Sequence, residues 1–211
     1  MSPSFRKPRP LGREEGRHRD SSIIVIACED TYIQRSYFGL FRSTRIQVRV
    51  IETPKDAGSS SPDAVLRRLC AVREEFDWEE GKDEFWLSID KDRWKPEVLA
   101  MVYKEARQKG FNVALSNPCF EYWLLLHGIE PTAAFPNCQA AKDLLKARCN
   151  GYTGKTVPEG WVTTATLRLA IQRAKPTDKN RDGWPTENGT QVYRLAERLL
   201  ALGADVLPGA R

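Results

Sequence analysis

The chain lacks any apolar run approaching the roughly 20 residues that a membrane span requires, and its basic N-terminus lacks the apolar stretch of a signal peptide. Both absences predict a cytoplasmic protein with no membrane partner. Its five cysteines, Cys28, Cys70, Cys119, Cys138 and Cys149, are odd in number and include no C-x-x-C pair. That argues against a disulfide framework or a zinc ribbon, and free, mostly buried thiols are the expectation. A phosphate loop is also missing. The nearest candidate, Gly151 to Thr156, lacks the G-x-x-x-x-G-K-[ST] spacing and follows no clear strand, so any ATP hydrolysis would have to come from another protein. There is no internal repeat.

What is present is an ordinary globular composition. With 211 residues, 41% apolar and 29% charged, the chain can build one domain with a sizeable core plus an appendage. Charge divides it into three parts. Residues 1–20 carry six basic against three acidic residues and, with Pro3, Pro8, Pro10, Gly12 and Gly16, read as a flexible basic arm that includes His18. Residues 21–136 are net acidic, as suits an α/β core that collects cations. Residues 137–211 are net basic and read as a helical C-terminal subdomain. There Arg168, Arg173, Lys175, Lys179 and Arg181 are candidates to follow a phosphate backbone, although a solvated helix surface explains the same charges.

Hydrophobic patterning gives the core its order. Ile23 to Ile26 is a buried-type strand, a helix follows around Ile33 to Phe41, and the β-branched run Ile46 to Ile51 is a second strand. Ser61 and Pro62 start a helix ending near Glu75, with Val65, Leu66, Leu69 and Val72 on one face. Phe85 to Ile89 is a third strand, Lys95 to Lys109 an amphipathic helix closed by Gly110, and Val113 to Leu115 a fourth strand. Such alternation predicts a mostly parallel sheet, whose ligands lie beyond the carboxyl ends of its strands. After about Pro136 the chain reads as helices and loops: Cys138 to Lys146, Thr164 to Ala174 and Gln191 to Leu202.

Two strands end in acid. Glu29 and Asp30 follow the first, and Asp90-Lys91-Asp92 follows the third. Carboxylates at neighbouring strand ends suit a hard cation such as Mg²⁺ or Mn²⁺, with Glu29 as a ligand or general base for phosphodiester cleavage. The competing reading is that Glu29, Asp90 and Asp92 merely cap the helices that follow.

The stretch Ser116-Asn117-Pro118-Cys119-Phe120-Glu121-Tyr122-Trp123-Leu124-Leu125-Leu126-His127 reads as a helix start. Ser116 or Asn117 is suited to the N-cap, Pro118 to the first turn, and Glu121 to reaching back to the cap. His127 suits a helix end, with a catalytic role as the alternative.

With these residues in view, the chain resembles the RloB-like family of bacterial anti-phage defence proteins, which look like Toprim-type nucleases. The resemblance covers about Ile23 to Leu200 and is most specific in Ser116 to His127. It also rests on Cys28-Glu29, Tyr37-Phe38, Ile89-Asp90-Lys91-Asp92 and Thr190-Gln191-Val192. It implies a Toprim-like fold in which Glu29, Asp90 and Asp92 jointly hold Mg²⁺, with Glu121 as a candidate additional acid, while His127 remains a further catalytic candidate on its own chemistry. The chain departs from the pattern by carrying Asp30 where a Gly is usual and Ile33-Gln34 where a Thr-Glu pair is usual.

The resemblance further implies a toxic Mg²⁺-dependent nuclease acting on RNA, including transfer RNA, or on DNA, and controlled by an ABC or SMC-like ATPase subunit. A homodimer is a further assembly the chain could form. The alternative is a catalytically inactive docking subunit of the same ATPase complex. A phosphotransferase or primase-like polymerase on a related frame ranks below both.

Overall fold

The computed structural model describes residues 21–30, 32–54, 60–75, 77–130, 134–180 and 183–207. The basic arm and Arg181 lie outside them. Within that range the chain runs through β1 (Ser22–Cys28), α1 (Ile33–Phe38), β2 (Phe41–Arg42), β3 (Ile46–Ile51), α2 (Pro62–Glu75), β4 (Glu84–Asp90), α3 (Pro96–Gln108), β5 (Asn112–Asn117) and α4 (Phe120–Leu125). It continues through α5 (Cys138–Arg148), α6 (Thr164–Ala174), a 3₁₀ turn at Lys175–Thr177, β6 (Gly189–Thr190), α7 (Val192–Ala201) and β7 (Asp205–Val206).

Alternation along β1 assigns the two faces of the sheet. Ile23, Val25 and Ala27 pack with Val65, Leu66 and Leu69 of α2 and Leu99, Val102 and Ala106 of α3. Ile24, Ile26 and Cys28 point the other way, into a core shared with Tyr37, Phe120, Trp123, Leu167 and Leu195. A strand covered on both faces has no polar side to show, which is why β1 reads as an unbroken apolar run.

The main sheet has the order β3-β1-β4-β5-β6. β1 pairs in parallel with β3 and β4, and β4 with β5, while β6 joins β5 antiparallel. This mixed α/β architecture, a mostly parallel five-stranded sheet flanked by helices, is consistent with a Toprim-like fold. Among the described residues no helix is long and apolar enough to cross a membrane.

The region after Pro136 is not all helix and loop. Gly189–Thr190 extends the main sheet, and Asp205–Val206 pairs with Phe41–Arg42 in a second, two-stranded sheet. Two-residue strands are too short to carry a period, so the sequence pattern gives no sign of them. The helices there start as sequence chemistry requires. Asn137 accepts from the Ala140 amide at 3.0 Å, and Thr163 and Thr166 form a reciprocal capping box.

One glycine fixes how the C-terminal part meets the core. A Cβ on Gly128 would lie 2.5 Å from the Trp161 ring, and Trp161 is itself held by its indole N–H donating to the Leu124 carbonyl at 2.9 Å. Gly128→Ala is therefore expected to lower stability by about 1–3 kcal/mol. Leu169→Ala, at a side chain 43% exposed, is expected to stay within about 0.5 kcal/mol. Urea midpoints at constant slope would compare the two, and an unchanged Gly128→Ala midpoint would contradict the packing argument.

Candidate metal centre

Parallel pairing of β1 and β4 sets Cys28 level with Ser88, so the residues that leave the two strands emerge side by side. Glu29 continues the ladder through its amide, which donates to the Ser88 carbonyl at 3.1 Å. Its carboxylate then turns back across the strand ends. Oε2 accepts from the Asp90 amide at 2.9 Å and Oε1 from the Trp94 indole N–H at 3.0 Å. Each oxygen of Glu29 is thus oriented by one donor and keeps lone-pair capacity for another partner.

Asp90 is the most crowded of the acids. Its Oδ1 is buried and has no hydrogen-bond partner. Burial raises its pKa well above the ordinary carboxyl range, and the charges of Glu29, Glu121, Asp30 and Asp92 add to the rise. Burial likewise pushes Glu29 up to about 7, against the opposing effects of its two hydrogen bonds.

Asp92 is exposed and adopts a left-handed backbone, φ 30°, a conformation that Asp tolerates better than most residues. Its amide donates to the Pro118 carbonyl at 2.9 Å, and the Lys91 amide donates to the Ser116 carbonyl at 2.7 Å. These bonds tie the Asp-x-Asp turn to the end of β5.

Glu121 lies on α4, buried, with Oε1 accepting from the Tyr152 hydroxyl at 3.1 Å and 3.6 Å from the Lys142 ammonium. It does not reach back to a cap. Ser116 and Asn117 do not cap α4 either, because both belong to β5. The Ser116 hydroxyl pairs with that of Thr190 at 2.8 Å, and the Asn117 amide donates to the Pro185 carbonyl at 3.0 Å. Cys119 takes the cap position without a side-chain cap hydrogen bond.

The capping reading of the other acids also fails. Asp30, not Glu29, accepts from the amides of Tyr32 and Ile33 at the start of α1, at 2.7 and 2.5 Å. α3 is preceded by Lys95 with no side-chain cap, which leaves Glu29, Asp90 and Asp92 without that role.

His127 is placed apart from the acids. It is 1% exposed, edge-on to the rings of Tyr37 and Trp123. Its Nδ1–H donates to the Trp123 carbonyl at 3.1 Å, which leaves Nε2 to accept from the Tyr37 hydroxyl at 3.3 Å. Burial lowers its pKa to about 4, which favours a neutral imidazole packed in the core.

The basic candidates differ in their partners, and Arg173 and Lys179 line one cavity. Arg168 is exposed on α6. Arg173 donates to the Leu126 carbonyl at 2.7 Å, while Lys175 and Lys179 pair on the surface with Glu197 and Glu187.

The expectation of free cysteines is corrected as well. Cys119 and Cys138 are joined as a disulfide, whereas Cys28, Cys70 and Cys149 are free. Trp94, Tyr152 and Lys142 are the partners that sequence reasoning missed, and no spacing rule links them to acids up to 65 residues away. Among the described residues, the metal-ligand atoms that gather within 4.8 Å of one another are those of Cys119, Glu121 and Cys138. Glu29, Asp90 and Asp92 do not gather that tightly.

An all-oxygen set with one buried, unpartnered carboxylate oxygen nevertheless fits a hard divalent cation. Glu29, Asp90 and Asp92 are the residues that would hold it.

Fold and acids together describe an α/β protein consistent with a Toprim-like fold, with carboxylates at adjoining strand ends. The profile of the RloB-like protein family matches residues 24–199. The chain belongs to that family. No curated protein and no solved structure matches it.

The raised Glu29 value sets a direction for stability against pH. A carboxyl raised from 4.5 to about 7 on folding binds its proton more tightly in the native state, so stability falls as pH rises from 4.5 towards 7 and is flat above. His127, lowered from 6.5 to about 4, acts in the opposite sense, and stability is lost as pH falls through that window. The difference between wild type and Glu29→Gln reports the Glu29 carboxyl together with its charge effect on Asp90. Relative to wild type, the variant is expected to gain about 2 kcal/mol between pH 4.5 and 7. Parallel pH profiles in chemical denaturation would refute the burial of this group.

Proposed function

We propose that the protein is a Mg²⁺- or Mn²⁺-dependent endonuclease of the Toprim type. Its substrate class is RNA, including transfer RNA, or DNA. It acts as the toxic effector of an anti-phage defence system under the control of a partner ABC or SMC-like ATPase. The observation that carries the catalytic part is the Asp90 oxygen, buried without a partner among four other carboxyls. Folding places mutually repelling acids together only at a cost, and a bound cation offsets that cost. The defence role and the ATPase rest on family membership.

Glu29 and Asp90 would hold the cation from adjoining strand ends, and Asp92 from the exposed turn. A bound Mg²⁺ supplies positive charge for the phosphate and the leaving oxygen. Asp90 N–H and Trp94 fix the orientation of Glu29 before substrate arrives, which limits reorganisation during the reaction. Near neutral pH the raised Glu29 carboxyl is able to exchange a proton with water when no cation is bound. Exposed Arg168, with Lys175 and Lys179 released from their surface pairs, provides positive charge for a nucleic-acid backbone.

Asp90→Asn keeps the shape of the side chain and removes its charge. Nucleic-acid cleavage by the purified protein with Mg²⁺ is expected to fall at least about 100-fold in this variant, and chelation of the metal should do the same to wild type. Cleavage that survives both treatments would sink the metal-nuclease reading. Loss of cleavage in wild type, together with no Mn²⁺ heat in calorimetry, would favour the inactive docking subunit. Arg168→Ala should weaken binding and reduce the slope of log affinity against log salt by about 1, whereas an unchanged slope would place the backbone contact elsewhere.

A further inference from the structure

The disulfide joins two elements that both touch Glu121. Cys119 is the residue before α4 and fully buried, while Cys138 is the first residue of α5 and half-buried, with Cα atoms 5.5 Å apart. Lys142 lies one turn beyond Cys138 on the same helical face, so α5 presents both a sulfur and an ammonium to Glu121. The sulfur lies 3.6 Å from Oε2 and the ammonium 3.6 Å from Oε1. Glu121 in turn raises the proton affinity of Asp90. The position of α5 therefore sets the surroundings of a carboxylate that acts on the candidate centre.

We propose that Cys119 and Cys138 form a reversible redox staple, opened by dithiol reductants, that holds α5 against Glu121. The half-buried Cys138 sulfur is the reachable one. A thiolate of the dithiol attacks it, the S–S bond breaks, and Cys119 leaves as a thiolate that takes up a proton. The second thiolate of the reagent then displaces Cys138, which takes up another proton, and the reagent ends as a disulfide. Two electrons and two protons pass to the chain.

Two consequences follow at Glu121. The covalent tie between α4 and α5 is lost, and Cys138 gains an S–H that can donate to Oε2, which the disulfide cannot do. Oxidation reverses both, with a small-molecule disulfide as the oxidant. The staple stands on the cysteines and Glu121 alone, and only its effect on cation binding rests on the nuclease reading.

The test uses the full chain equilibrated with dithiothreitol or with its oxidised form. Alkylation in denaturant should label five cysteines after reduction and three after oxidation, the five of the chain less the joined pair. Hydrogen exchange should be faster in α5 of the reduced protein, and Cys138→Ser should match the reduced state under either reagent. Mn²⁺ affinity measured by calorimetry is expected to change about fivefold between the two states.

Five labelled cysteines after oxidation, or exchange in α5 indifferent to the reagent, would overturn the staple. So would stoichiometric zinc retained by the reduced chain, which would make the pair a metal site. Equal Mn²⁺ affinity in both states would overturn the link to the acidic centre. Redox-sensitive exchange with no Mn²⁺ binding in either state would support the staple and count against the metal centre alone.

Discussion

Pairing of β1 with β4 in parallel is the constraint on which the site depends. Parallel register brings the two carboxyl ends level, so Glu29 meets the Asp90 backbone at 2.9 Å instead of solvent. The same pairing buries both strands and thereby lowers the local polarity around the acids they deliver. Burial is the leading cause of the raised proton affinity at both residues. A sheet that placed these acids on opposite edges would leave them with ordinary carboxyl behaviour and no shared partner.

The segment from Ser116 to His127 frames this centre more than it furnishes it. Its aromatic residues make the second core: Phe120, Tyr122 and Trp123 are all buried, and Tyr37 meets Phe120, Trp123 and His127 edge-on. That packing holds α4 beneath the strand ends and carries Glu121 with it. The Pro118 carbonyl and the Ser116 carbonyl are the points at which the frame grips the Asp-x-Asp turn. The segment combines apolar and polar residues because it has two duties, one towards the core and one towards the acids.

What could be read from the sequence follows from how local each signal is. β3 and α2 agree with the boundaries that β-branched runs and Ser61-Pro62 imply, because both signals lie inside the element. Glu29, Asp90 and Asp92 were legible because strand ends are visible as places where apolar runs stop. Trp94, Tyr152 and Lys142 were not, since their contacts with Glu29 or Glu121 exist only once the sheet and α5 have come together. Ser116 and Asn117 misled for a related reason. Their types suit a cap, but pairing with Thr190 and Gly189 claims their backbones for a strand. The surroundings of His127 were not legible either, because a helix-end histidine and a core histidine look alike until Tyr37, 90 residues away, supplies a partner.

The surroundings of Asp30 and Gln34 share an electrostatic logic. Asp30 adds a charge next to Glu29, yet its carboxylate is taken up by the amides that open α1, so it acts on Asp90 from a fixed distance and not as a competing ligand. Gln34, in that same helix, is fully buried, with neither amide atom hydrogen-bonded. An ionised carboxylate there would be a buried charge without a partner, which costs far more than an unpartnered amide. Position 30 thus carries a carboxylate where backbone amides meet it, and position 34 carries none where the interior offers no partner.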